Sequence, residues 1–225
     1  MRHLAKVAML IVLSLPTWAA ISRTGSCSAL STTCTLSASN AGDLVVVVAF
    51  GNSGTISRPA GWTQIATSTA GTITFLAACE ESTGSTTIGT WTSAGEIVAA
   101  SYGGTAVGTS SNCNTTGVGG TGEANSTSLT TSVTCEGVTM SRNSGSSWVA
   151  CFEGLTANEA GCTPTGMTAF ASSVNRVIGN DTNGGTTTWS NTTCSVGSST
   201  EYWAFTAEIL AFSPHTLMLT GSGPS

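Results

Sequence analysis

The stretch "DLVVVVAF" at residues 43–50, which leads through a polar linker to "PAGWTQI" at 59–65, decides how the whole chain is read. After Asp43 no polar residue interrupts it, so it lacks the alternation of a strand with one wet face. A continuous apolar run this short, bounded by Gly, Asn and Ser, predicts a central strand covered on both faces or lying at the core of a sandwich.

The phrase has a second copy. "VVAF" (47–50), "PAGWT" (59–63), "GTWTS" (89–93) and "EIVAAS" (96–101) recur in the same order as "VACF" (149–152), "PTGMT" (164–168), "TTWSN" (187–191) and "EILAFS" (208–213), at offsets of 102, 105, 98 and 112 residues. A period near one hundred residues is too long for a solenoid unit. Two copies of an amphipathic half-sheet would instead cover each other's apolar faces. Pro restricts the backbone and Gly permits a left-handed position, so each Pro-x-Gly turn is expected to end a strand and aim the next large residue inward. Trp62 and Met167 are the two expected turn plugs.

Further strand signals lie at 71–79, 96–102, 128–135, 146–154 and 202–212, all rich in β-branched or aromatic residues. No stretch carries an apolar stripe at helical spacing. The expected fold is all-β: a two-layer, jelly-roll-like β-sandwich of two pseudo-repeated halves, about 41–105 and 128–213. These form a single domain over 20–213, followed by a C-terminal tail at 214–225.

Residues 1–19 have the layout of a signal peptide: Arg2 and Lys6, an apolar run from Val7 to Leu15, then Pro16 and small residues. The run is too short to span a bilayer, and no stable membrane span is expected once it is removed. The expected compartment is therefore extracellular. Without the leader, four arginines stand against 11 acidic residues, a net charge of −7, and no lysine remains. Such a chain cannot neutralise a phosphate backbone, which excludes nucleic acid as a partner.

All eight cysteines, Cys27, Cys34, Cys79, Cys113, Cys135, Cys151, Cys162 and Cys194, follow the leader. An even number in an exported chain predicts disulfides. With neither a C-x-x-C spacing nor a nearby His, no metal site is expected. The short loops favour Cys27–Cys34 and Cys151–Cys162, leaving Cys113–Cys135 and Cys79–Cys194 by elimination.

"AGDLVVVVAF", "PAGWTQI", "GTWTSAGEIVAASYGG" and their second-half counterparts "SSWVACFEG", "PTGMT" and "YWAFTAEIL" resemble a widespread group of β-sandwich proteins found among bacterial secreted proteins and phage structural proteins. The resemblance covers roughly 41–212 and implies a jelly-roll-like sandwich. It transfers no catalytic residues, and it admits a virion structural role beside a secreted one.

Chemistry is sparse. The one histidine after the leader, His215, sits in the tail, and without lysine neither Ser-Lys nor Schiff-base catalysis is open. Glu96 and Glu208, which open "EIVAAS" and "EILAFS", are the weak catalytic candidates for a two-carboxylate glycosidase. Glu80, Glu81 and Glu153 are read as strand-end glutamates. "GNDTNGG" (179–185) is read as an Asn-Gly turn rather than a calcium loop. No cofactor is expected. Four Asn-x-Ser/Thr sites, at Asn114, Asn125, Asn180 and Asn191, are placed in polar, loop-like segments.

The composition therefore points to a secreted, non-catalytic protein with a surface, adhesion or extracellular assembly role, whose partner is its own copies or a cell-surface glycan. The second reading is a carbohydrate-binding module or glycoside hydrolase, with tryptophans as the stacking platform. N-terminal sequencing of the protein exported by a secreting host should begin at Ala20. An intact Met1 would remove the basis for placing the chain outside the cell.

Overall fold

The computed structural model describes residues 20–52, 54–107, 112–142, 144–171 and 176–212. The expected leader at 1–19, the tail at 214–225 and His215 lie outside them. Among the described residues the fold has ten strands and one helical turn: β1 (Ser22–Ala29), β2 (Ala41–Gly51), β3 (Thr63–Ala70), β4 (Ile73–Thr83), β5 (Glu96–Gly103), α1 (Cys113–Thr116), β6 (Val118–Cys135), β7 (Trp148–Leu155), β8 (Thr168–Ala171), β9 (Val177–Asp181) and β10 (Thr192–Ile209).

Each half of the chain closes its own antiparallel sheet, in the order β1-β5-β2-β4-β3 for the first and β6-β10-β7-β9-β8 for the second. Adding five to every strand of the first sheet gives the second, so the repeat is one of topology. The sheets stack face to face with β1 over β8, β5 over β9, β4 over β10 and β3 over β6. Exchanging the halves converts each of these pairs into another of the set, which places a pseudo-twofold axis at β2 and β7. There Phe50 lies against Gly154, where a Cβ would meet the Phe50 ring at 2.6 Å.

The halves begin earlier than the sequence suggests. β1, "SRTGSCSA", is a half-exposed edge strand, and the start of β6, "VGGTGEANST", is Gly-rich. Neither carries the apolar signal of a buried strand. The segment around 168–181 contains two strands, β8 and β9. Among the described residues no helix is long and apolar enough to cross a membrane.

Three cores follow from this stacking. Between the sheets, Leu44, Val46, Val48 and Phe50 of β2 meet Ala150 and Phe152 of β7 and Trp203, Phe205 and Ala207 of β10. On the outer face of the first sheet, Val45, Val47 and Ala49 are covered by Leu36, Ile56, Trp62, Ile88 and Trp91 from the connecting loops. On the outer face of the second, Val149, Cys151 and Leu155 are covered by Val138, Met167 and Val196. Both faces of β2 are therefore dry, which is why its sequence does not alternate.

The two turns occupy matching places. Gly61 and Gly166 have φ of 94° and 85°, in the left-handed region open to glycine. The Met167 N–H donates to Pro164 O at 3.1 Å. Trp62 is 6% exposed and Met167 9%, each in the outer core of its own half. Trp62 also meets Trp91 edge to face, with ring centroids 5.3 Å apart.

Four disulfides are present: Cys27–Cys34, Cys79–Cys113, Cys135–Cys151 and Cys162–Cys194. The first matches the expected short loop. The other three correct the sequence-based pairing, and the cause is the long β6–β10 ribbon. Its register shifts between Ser195 and Thr200, and its distal part, with Val133, Cys135, Cys194 and Val196, lies on the outer core of the second sheet. Cys135 thus reaches Cys151 on β7 and Cys194 reaches Cys162, so Cys151 and Cys162 do not join. Cys79 on β4 binds Cys113 of α1, in the crossover between the sheets.

Removing the first plug should cost about 3–5 kcal/mol of unfolding free energy for Trp62→Ala, the range for a large aromatic taken from a packed core. Met167→Ala should cost less, because a flexible thioether leaves a smaller void. Chemical denaturation of the disulfide-intact protein measures both, and a loss under about 1 kcal/mol for Trp62→Ala would mean that the turn is not a plug.

Candidate functional site

Charge is scarce in this chain, and most of it is used between or beneath the sheets. Arg23 of β1 forms an ion pair with Asp181 of β9 and lies 4.8 Å from the Phe170 ring centroid. Tyr102 donates to the same carboxylate at 3.4 Å. At the other end of β5 and β9, Arg176 forms an ion pair with Glu96. Two cross-sheet ion pairs thus fix how the halves sit on each other. Asp43, from the "GDL" segment, accepts from Thr24 Oγ1 (2.7 Å), Ser101 Oγ (3.1 Å) and the Asn40 N–H (2.9 Å), tying β1, β5 and β2 at one corner.

The two catalytic candidates do not come together. Register places Glu96 opposite Phe50, toward the space between the sheets, whereas Glu208 lies opposite Val149, on the outer face of the second sheet. Their similar surroundings in sequence conceal opposite orientations. Burial pushes the Glu96 carboxyl up to about 7, although the Arg176 guanidinium pulls it back. Burial also raises Glu208, but the N–H groups of Ser141 (2.6 Å), Gly120 (3.0 Å) and Arg142 (3.1 Å) offset it, and the net position is below the ordinary carboxylate value. Glu208 therefore acts as a fastener for the 119–142 backbone.

Glu153 is not a solvated strand-end residue. It is fully buried in β7, accepting from Asn180 Nδ2 at 3.1 Å and from the Cys162 N–H at 3.4 Å. The sulfurs of Cys135 and Cys194 approach it at 3.8 and 3.9 Å, so two disulfides enclose one carboxyl group. Burial pushes it up to about 8, with the Cys162 N–H pulling the other way. These cysteines surround Glu153 as metal ligands would, but metals take thiolates, and here the sulfurs are bonded to each other. Asn180, placed in a loop by the sequence, is a fully buried strand residue here, so its Asn-x-Thr motif is closed to glycosylation. The "GNDTNGG" segment does turn at Asn183 (φ 46°), whose N–H donates to Asp181 Oδ1 at 3.1 Å.

Four of the five described tryptophans are buried and offer no stacking face, and the fifth, Trp189, is half-buried. Trp62, Trp91, Trp148 and Trp203 are 6%, 0%, 8% and 2% exposed, and Trp189 packs against the second outer core. An open cleft of about 510 Å³ lies beside the first Pro-x-Gly turn, lined in part by Ser57, Arg58, Pro59, Trp62, Gln64 and Thr67. Arg58 Nε donates to Trp62 O at 2.8 Å and its Nη1 to Gln64 Oε1 at 3.2 Å. Beyond the turn itself, no residue pattern in the sequence signals this cleft.

Searches of protein-family models, curated proteins and solved structures return no match to this chain. Function therefore rests on the chemistry of the chain's own residues. Glu153 gives that chemistry a measurable signature. An unfolded glutamate titrates near 4.5 and the folded one near 8, so between these values the native state keeps a proton that the unfolded state has released. Its stabilising contribution is complete below about pH 4.5 and is lost as pH rises through 8. Thermal unfolding of the wild type and Glu153→Gln at pH 5 and 8.5 should show the wild type losing ground to the variant as pH rises. A difference between the two proteins that does not change with pH would overturn the burial assignment.

Proposed function

We propose that this protein is an exported, non-catalytic β-sandwich that works at a surface, as an adhesion or extracellular assembly component. One observation carries the reading: the two catalytic candidates, Glu96 and Glu208, and the buried Glu153 are already committed to structure. Glu96 is held by Arg176, Glu208 by three backbone amides and Glu153 by Asn180 beneath two disulfides. A glycosidase needs two carboxyl groups facing one cleft at about 5–10 Å, and Glu96 and Glu208 lie on opposite faces of their sheets.

Durability fits the same role. Four disulfides fasten a domain that has few charges and presents a surface rich in Ser and Thr, as suits an oxidising compartment outside the cell.

The open cleft favours carbohydrate binding over carbohydrate hydrolysis as the second reading. The purified mature protein should assemble, as seen by electron microscopy, or be retained on cell surfaces, and it should release no product from a panel of oligosaccharides. Turnover that disappears in Glu96→Gln or Glu208→Gln would establish an enzyme and sink the proposal.

A further inference from the structure

We infer that the cleft beside the Pro59–Trp62 turn is a binding site for acidic saccharides, with Arg58 receiving the carboxylate of a uronic acid. This assignment rests on the surface role proposed above and names its ligand class. Of the arginines that follow the leader, Arg23 and Arg176 are ion-paired across the sheets, and Arg142 donates to the carbonyl of Ala211 at the end of the fold. Arg58 is the one that lines a cleft, and among the described residues no carboxylate lies within ion-pair distance of it.

Its guanidinium is also fixed in place. Nε is tied to the Trp62 carbonyl and Nη1 to the Gln64 amide oxygen, which leaves the Nη2 edge for a ligand. A planar guanidinium held by two bonds matches a carboxylate and loses little freedom on binding it. Around it stand the Ser57 and Thr67 hydroxyls and the Gln64 amide, with Pro59 as an apolar wall. Hydroxyl and amide groups grouped about one cation suit a ligand that carries one negative charge among several hydroxyls. The volume, about 510 Å³, falls in the range of small-ligand sites.

Alternatives fit less well. A neutral sugar is ordinarily oriented by stacking on an exposed aromatic ring, but Trp62 is 6% exposed and Trp91 fully buried. A uronate chain, with one carboxylate per sugar, places one charge in the cleft and turns hydroxyls toward the rest.

The test titrates the mature protein, at low and physiological salt, with trigalacturonate, its methyl ester and a short peptide ending in a free carboxylate. Saturable binding to trigalacturonate should weaken with salt, fall at least tenfold in Arg58→Ala, be partly kept in Arg58→Lys and be absent for the methyl ester. Because Arg58 is exposed, both variants should keep the wild-type circular dichroism. No binding by the wild type, equal binding by Arg58→Ala, equal binding of the ester, or preference for the peptide would each overturn the assignment. Cell-surface retention that survives in Arg58→Ala would show that the surface role stands without this site, whereas loss of retention together with uronate binding supports both.

Discussion

The structure depends on one constraint, the burial of β2 and β7 on both faces. A half-sheet with two apolar sides cannot be satisfied by a single partner layer. One side of β2 meets the opposite sheet through Val46, Val48 and Phe50, and the other, through Val45, Val47 and Ala49, needs a cover that its own half must supply. The connecting loops provide it. Irregular backbone over an apolar face brings polar groups that must find partners and has little intrinsic stability, so the covers are fastened. Cys27–Cys34 lies at the cover of the first half, while Cys135–Cys151 and Cys162–Cys194 pin that of the second. Each cover also inserts one large side chain, Trp62 or Met167, directly after a left-handed glycine.

The pseudo-twofold arrangement follows from the same need. Two halves with one topology can bury equivalent inner faces by stacking about an axis, and the axis runs where the most apolar strand of each half meets the other. Departures from symmetry are concentrated away from that axis. The second half lengthens its β6–β10 ribbon and curls it over the outer core, where the first half uses separate loops. The polar ties also differ: Arg23–Asp181 and Arg176–Glu96 both involve β9 or the residue before it, with no counterpart pair across β4 among the described residues.

How far the sequence could be read depends on the range over which each signal acts. The apolar run at 43–50 and the Pro-x-Gly turns are local, since they are set by burial and backbone conformation within a few residues, and they point to the sandwich and to the positions of Trp62 and Met167. Disulfide pairing is not local. Cys151 and Cys162 are near in sequence, but the bend of the β6–β10 ribbon brings Cys194, 32 residues further along, to Cys162. The likeness of "EIVAAS" to "EILAFS" also misleads, because a shift in register sends a side chain to the opposite face of a strand: Glu96 opens β5, while Glu208 nearly closes β10. Edge strands such as β1 leave little trace in the sequence because half-exposed strands need little apolar content.

The scarcity of charge shapes recognition as well as folding. A surface solvated mainly by Ser, Thr and Asn has little long-range field, so partners are not drawn in from beyond a Debye length, and selectivity must arise from contacts at hydrogen-bond range. Flat hydroxylated strands such as β3 and the outer part of β6 present such groups without enclosing anything, and a group contacted from one side alone is a weak determinant of affinity. A concave site changes this, because it removes water from several groups at once and raises the strength of any charge it contains. In a chain with so few cations, leaving Arg58 outside the ion-pair network, with one nitrogen anchored to the Trp62 carbonyl and another to the Gln64 side chain, couples the open cleft to a buried turn of the fold. The constraint that covers β2 on its outer side thus also makes that cleft rigid.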